Sequence, residues 1–256
     1  TLRDKAAQRS STLAHRHTMP SIKRSLLIAA LTLAVAPAST FAFALPGPTA
    51  CLLVEVADLH TLPDGSLTDS GSEADQRAYV QLTRDARARI EATFGPVESK
   101  PILVFFSHPD GFGPFRLNAY GSTQFIGSRA CVMVGPKGQS VDVVAHELMH
   151  AEIHHRVGYL KRFLQLPTWF DEGVAMQVDY RTRYSLSPQD SQTADYVRDL
   201  TTFSSFFKGD EQAVVRNYAS AKLVVASWLS KVGSTSLYVH LQRLKNGESF
   251  AEIVAE

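Results

Sequence analysis

Residues 140–157 read SVDVVAHELMHAEIHHRV. Ser140 is suited to cap a helix, Asp142 to sit at its positive end, and Gly158 to stop it. His146 and His150 are four residues apart, so on a helix they lie one turn apart on the same face. Two imidazoles placed in this way can chelate one ion. Glu147 is one position round from His146, where its carboxylate can lean towards a metal-bound water without being a ligand. The run His146-Glu147-Leu148-Met149-His150 is thus an H-E-x-x-H sequence. The motif is short enough to arise by chance on a His- and Glu-rich surface helix, so the flanking sequence has to decide.

A catalytic zinc needs three protein ligands and one open position. Residues 166–180 read LPTWFDEGVAMQVDY. Pro167 and Thr168 make a helix start, with Thr168 as cap and Asp171 three residues on. Glu172 falls in the first turn of that helix. Packed against the first helix, it would present Glu172 to the two histidines. The expected site is one Zn²⁺ held by His146, His150 and Glu172, with Glu147 as catalytic base. On the alternative reading, Asp171 and Glu172 only complement the helix dipole. A third histidine ligand in the H-E-x-x-H-x-x-G-x-x-H pattern would need Gly at position 153 and His at 156, where this chain has Ile153 and Arg156. His154 lies about 6 Å further along the axis and cannot join the same ion. It is expected to be packed or to stand behind the ligands, with His155 in solvent.

The two motifs together, His146-Glu147-x-x-His150 and Trp169-x-x-Glu172-Gly173-x-Ala175, resemble the gluzincins. These are zinc peptidases that include thermolysin and the membrane-alanyl aminopeptidases, and the small bacterial peptidase-MA-like domains look closest. The resemblance covers roughly residues 97–250. It implies a zincin-like α+β fold and hydrolysis of peptide bonds. It also implies a role for Tyr218, in the helical stretch NYASAKLVVASWL at 217–229. In the aminopeptidase branch a Tyr opening such a helix bonds the tetrahedral oxyanion. Two features of those families are missing. Residues 127–136, GSRACVMVGP, hold no acidic residue to match the Gly-x-Met-Glu-Asn strand that anchors a free amine, which argues against strict aminopeptidase activity. The Asp that orients a ligand histidine in thermolysin, four residues after the ligand Glu, is replaced by Met176. Asp179 and Asp142 are the alternatives for that task.

The rest of the chain predicts a single domain at 45–256. Residues 72–94 read as a helix capped by Ser72 and stopped by Gly95-Pro96, with Ala78, Leu82, Ala86 and Ile90 as its apolar face. Residues 101–107 (PILVFFS) have the pattern of a buried strand, 108–120 that of a loop, and 124–126 and 130–134 those of two further strands. Helices follow almost to the end. Phe203, Phe206 and Phe207 are spaced for a helical core face. Strands first and helices afterwards predict α+β rather than a βαβ sheet: a small N-terminal sheet with a helix, the H-E-x-x-H helix, and a helical C-terminal part.

Residues 19–44, MPSIKRSLLIAALTLAVAPASTFAFA, read as a signal peptide, with Lys23 and Arg24 before a short apolar run and Ala42-Phe43-Ala44 as the cleavage site. Residues 1–18 read as upstream sequence. The expected location is secreted or periplasmic. An uncleaved anchor is the alternative, and Pro37 ends the apolar run early for one. Residues 45–256 hold 20 basic and 24 acidic residues, a net charge of −4 with no basic run, which gives no electrostatic footprint for nucleic acid; a peptide or protein substrate is what the resemblance implies. The two cysteines, Cys51 and Cys131, can pair in an oxidising compartment. The rival to an enzyme is a zinc-binding, non-catalytic envelope or interaction domain. Residues 130–134 are expected to offer an edge strand for an extended peptide.

Overall fold

In the computed structural model the described residues are 46–108 and 119–256. The expectations for residues 1–44, and those for 109–118 of the loop, lie outside them. Helix α1 (Pro46–Leu53) is followed by two short strands, β1 (His60–Thr61) and β2 (Leu67–Thr68). Helix α2 (Glu73–Phe94) begins where Ser72 accepts a hydrogen bond from the Asp75 N–H and ends at Gly95, whose φ of 104° favours glycine. Strands β3 (Ile102–Phe105), β4 (Gly121–Ile126) and β5 (Arg129–Val134) follow, then α3 (Val141–Val157), α4 (Tyr159–Gln165) and α5 (Thr168–Ala175). The remaining helices are α6 (Pro188–Gln192), α7 (Phe203–Phe206), α8 (Glu211–Val232), α9 (Leu237–Lys245) and α10 (Phe250–Val254).

The fold is α+β, with one correction to the sheet. Its five strands run in the order β1-β2-β3-β5-β4. β2 and β3 are parallel, with α2 as the connection between them, so the sheet does contain a βαβ unit. β3 and β5 are also parallel, and β4 runs antiparallel to β5. A second correction concerns the edge. The strand at 130–134 lies between β3 and β4, and β4 is the edge strand on that side of the sheet, β1 being the edge on the other, among the described residues.

The apolar run at 102–106 serves two faces. Leu103 and Phe105, with Val132 and Val134, join the main core formed with α2, α3, α5 and α8. Val104 and Phe106, with Met133 and Cys131, join a smaller cluster with Cys51 and Val54. A strand covered on both sides loses the polar alternation of a half-exposed one. Cys51 and Cys131 form a disulfide with Cα atoms 5.7 Å apart, which ties the end of α1 to β5.

The buried face of α2 is offset from the expected one. Tyr79, Thr83, Ala86, Ile90 and Phe94 are buried, whereas Ala78 is exposed and Leu82 half-buried. Tyr79 stacks on Phe105 with ring centroids 4.6 Å apart. Of the three phenylalanines at 203–207, Phe206 is buried, Phe207 packs on Tyr218, and Phe203 is exposed rather than in the core.

α5 and α8 approach closely at Gly173. A Cβ there would lie 2.6 Å from the Ala221 carbonyl oxygen and 2.6 Å from Val225 Cγ2. Gly173→Ala is therefore expected to push the helices apart and to lower stability by about 1–3 kcal/mol, measured as a reduced denaturation midpoint. An unchanged midpoint would mean that the two helices are not held at this separation. No helix among the described residues is long and apolar enough to cross a membrane.

Candidate metal centre

α3 starts where Ser140 accepts a hydrogen bond from the Val143 N–H and stops at Gly158. Lying between the sheet, α2 and α5, it buries residues on nearly every side, among them His146, Glu147, His150, Glu152 and His154. Polar groups so placed are costly unless partnered. Glu152 is wholly buried and serves structure. It accepts hydrogen bonds from the Glu98 N–H (3.2 Å) and Ser99 N–H (2.8 Å), pairs with Arg156 (2.6 Å), and so fastens the turn before β3. His154 donates to the Gly127 carbonyl at 2.9 Å. His155 is exposed, as expected.

α5 opens differently from the reading of its sequence. Pro167 is the N-cap, Thr168 is the first helical residue, and Thr168 makes no side-chain cap. Its N–H instead donates to the Thr201 carbonyl at 3.0 Å. This start aims both acids of α5 at α3. Glu172 Oε2 lies 3.4 Å from His146 Nε2 and 3.3 Å from His150 Nε2. The two Nε2 atoms are 3.2 Å apart. His146, His150 and Glu172 thus form a buried group able to hold a metal ion. Glu172 Oε2 has no hydrogen-bond partner among the described residues.

The sequence places Asp171 in a capping-box-like arrangement with Thr168 or, on the alternative reading, as a complement to the helix dipole, and neither reading puts it behind His150, where the structure has it. Its Oδ1 is 3.0 Å from His150 Nδ1, and its Oδ2 accepts from Arg162 of α4. A carboxylate behind a ligand histidine fixes the tautomer that leaves Nε2 free for a metal. The signal available in the sequence was Asp171 standing next to the ligand Glu, on the opposite side from Met176. For His146, the nearest such acid is Asp179, with Oδ2 at 3.8 Å from Nδ1. Asp142 turns away to Arg89 at 2.5 Å and to the Tyr180 N–H at 3.0 Å.

Electrostatics follow from this arrangement. Burial opposes protonation of His150, yet the carboxylates of Glu172 and Asp171 outweigh it and lift its pKa well above the usual histidine value. Burial would raise Glu172, but His150 and His146 hold its carboxyl far below the ordinary range. Asp171 is lowered likewise, burial being outweighed by Arg162 and His150.

Glu147 occupies the side of the group nearer β4. Its Oε2 accepts from Thr123 Oγ1 at 2.7 Å, and Gly121 leaves it room, since a Cβ there would lie 3.0 Å from Glu147 Cγ. Tyr218 does not open its helix, contrary to what the resemblance implied: α8 begins at Glu211 and Tyr218 lies about two turns in. It stands edge-on to His146 with ring centroids 6.0 Å apart. Burial first, then Glu172 and Glu147, push its phenol well above its ordinary pKa, so it stays a hydrogen-bond donor.

No protein-family model matches the chain, and neither curated proteins nor solved structures match it. The site is therefore interpreted from its own geometry. Asp171→Asn is expected to weaken metal affinity about 10–100-fold, measured by competition with a chromophoric chelator. Unchanged affinity would remove Asp171 from its role behind His150.

Proposed function

We infer that the chain is a zinc peptidase of zincin-like architecture, acting on peptide or protein substrates. The observation that carries this reading is the spacing of three donor atoms. Zinc bonds of about 2.0–2.1 Å in a tetrahedron place neighbouring ligands about 3.3–3.4 Å apart. His146 Nε2, His150 Nε2 and Glu172 Oε2 are separated by 3.2, 3.3 and 3.4 Å. Two nitrogens and a carboxylate oxygen suit zinc chemically and leave a fourth position open.

Bound there, zinc supplies a Lewis acid for the scissile carbonyl and lowers the pKa of the attacking water. Glu147 takes the proton of that water on its carboxylate and passes it to the leaving amine. Thr123, bonded to Glu147 Oε2, holds the carboxylate in place while this happens. Tyr218 keeps its proton and donates it in a hydrogen bond to the developing oxyanion. β4, as the outer strand next to Glu147, replaces 130–134 as the backbone on which an extended peptide aligns. A secreted or periplasmic location accords with the Cys51–Cys131 disulfide.

The Asp171 carboxylate against His150 supports the catalytic reading over the non-catalytic one. The test is metal content. Full-length wild-type protein, dialysed without chelator, is expected to hold about one zinc per chain, and Glu172→Ala much less, because catalytic zinc rests on three protein ligands. A folded wild type that takes up no added zinc would end the metallopeptidase reading.

A further inference from the structure

Helix α4 is built inside out. At about 100° per residue, Tyr159, Leu160, Phe163 and Leu164 share an arc of about 140°, and Lys161, Arg162 and Gln165 take the rest. A surface helix ordinarily turns such an apolar arc to the core. Here it is Arg162 that faces the protein. It donates to Asp171, and its guanidinium lies 3.9 Å from the centroid of the Phe125 ring. The apolar arc faces solvent. Leu160 is 68% exposed, Phe163 79% and Leu164 76%, and no residue of the helix is buried. No other stretch of this length among the described residues carries three large apolar side chains more than two-thirds exposed. A contiguous patch of this kind marks an interaction surface.

Of the occupants such a face can take, size and charge favour a lipid surface. A substrate of the metal group does not fit, because Arg162 points to Asp171 from the other side of the helix and the apolar arc is turned away from the donors. A second copy does not fit in size. A stable dimer uses roughly 20–30 residues a side, and here four side chains stand on one short helix. The charge around the patch is basic. Residues 153–170 contain no Asp or Glu. Arg156 and Arg162 are spent on Glu152 and Asp171. Lys161, at the rim beside Leu160 and Leu164, meets no carboxylate among the described residues, and its amine reaches Gln165 at 3.4 Å. Where α4 leaves α3, Tyr159 stands edge-on to His154 with ring centroids 6.1 Å apart, and Lys100 and Arg129 line the cleft next to that histidine. The one carboxylate of the cleft, Glu98, is within ion-pair reach of Arg156 at 3.4 Å and His155 at 3.8 Å.

We propose that α4 docks the protein on an anionic lipid surface. Leu160, Phe163 and Leu164 enter the boundary between headgroups and acyl chains, about 5–10 Å deep. Lys161 extends its amine to the lipid phosphates. Arg162 and Asp171 stay on the side of the helix away from the lipid. The attachment does not depend on the metal donors.

The test puts a reporter into the patch of the full-length chain. Phe163→Trp adds an indole there, while the native Trp169 and Trp228 are buried. Vesicles of phosphatidylglycerol and phosphatidylcholine in equal parts, brominated on their acyl chains, are expected to shift its emission to the blue and to quench it. Binding read in this way should weaken about tenfold or more when Leu160→Ser and Leu164→Ser are added, and about fivefold with Lys161→Gln. Vesicles of phosphatidylcholine alone should bind about fivefold more weakly or worse. None of these side chains is buried, so the variants should melt within about 2 °C of the wild type. Unquenched emission overturns the proposal, and where the chain still sediments with the vesicles, the apolar run at residues 25–36 alone holds it there. Quenching indifferent to Leu160, Leu164 and the anionic lipid would overturn it equally. A blue shift that grows with protein concentration in the absence of vesicles would overturn it by assigning the face to a second copy.

Discussion

Glu147→Gln is expected to keep its zinc and to hydrolyse peptides about 10²–10⁴-fold more slowly, the usual worth of a positioned general base. The substitution preserves shape, and the amide oxygen can still accept from Thr123 Oγ1, which bonds the carboxylate at 2.7 Å in the wild type. What disappears is a lone pair basic enough to take a proton. The metal is expected to stay because the substitution leaves the proposed donors His146, His150 and Glu172 unchanged. The comparison is made on unfolded casein at matched zinc content, counting newly formed amino groups, with a chelator control. A variant as fast as the wild type would take Glu147 out of the reaction.

The second large effect is on stability. The Cys51–Cys131 bridge spans 80 residues of sequence. On the chain-entropy account, closing a loop of that size stabilises the fold by about 4 kcal/mol. Replacing both cysteines by Ser is expected to lower the melting temperature by about 8–16 °C, at about 2–4 °C per kcal/mol for a chain of this size. Zinc binding should survive below the new midpoint, since α1 and its small cluster lie apart from the donor set. Equal melting curves for wild type and double variant would mean that the bond does not form in solution.

The parts of this structure that were legible in the sequence are those governed by neighbouring residues. Ser140, Gly158, Ser72 and Gly95 mark helix ends because capping is local, and all four do so. The strand at 102–105 was legible because a run buried on both faces has few polar interruptions. The order of the strands was not legible. β1 and β2 are two residues long and exist only through pairing, β1 with β2 and β2 with β3, which no local signal encodes. The offset face of α2 has a similar cause. Tyr79 and Thr83 could be buried because Gln139 donates to the Tyr79 hydroxyl at 3.1 Å and Thr83 donates to the Tyr79 carbonyl at 3.0 Å. A tertiary partner at Tyr79 and a carbonyl of the helix itself at Thr83 thus made polar positions part of the core.

The same distinction holds at the site. His146, His150 and Glu147 could be read from one helical turn, and Glu172 from its place at the start of the next motif. Asp171 could not, because its role depends on where α4 carries Arg162, and a dipole role fits the same position equally well in one dimension. The choice between Asp142 and Asp179 was likewise open until the packing around Arg89 took Asp142 away.

Asp171 and Glu172 are consecutive residues on α5, and α5 is seated against α8 through Gly173 with no space for a side chain. The helix therefore moves as one piece, carrying a ligand and the support of a second ligand together. A displacement of α5 would therefore draw Glu172 away from the two histidines of α3 and Asp171 away from His150 at once, so a substitution at the α5–α8 interface is expected to quicken exchange of an ion held there.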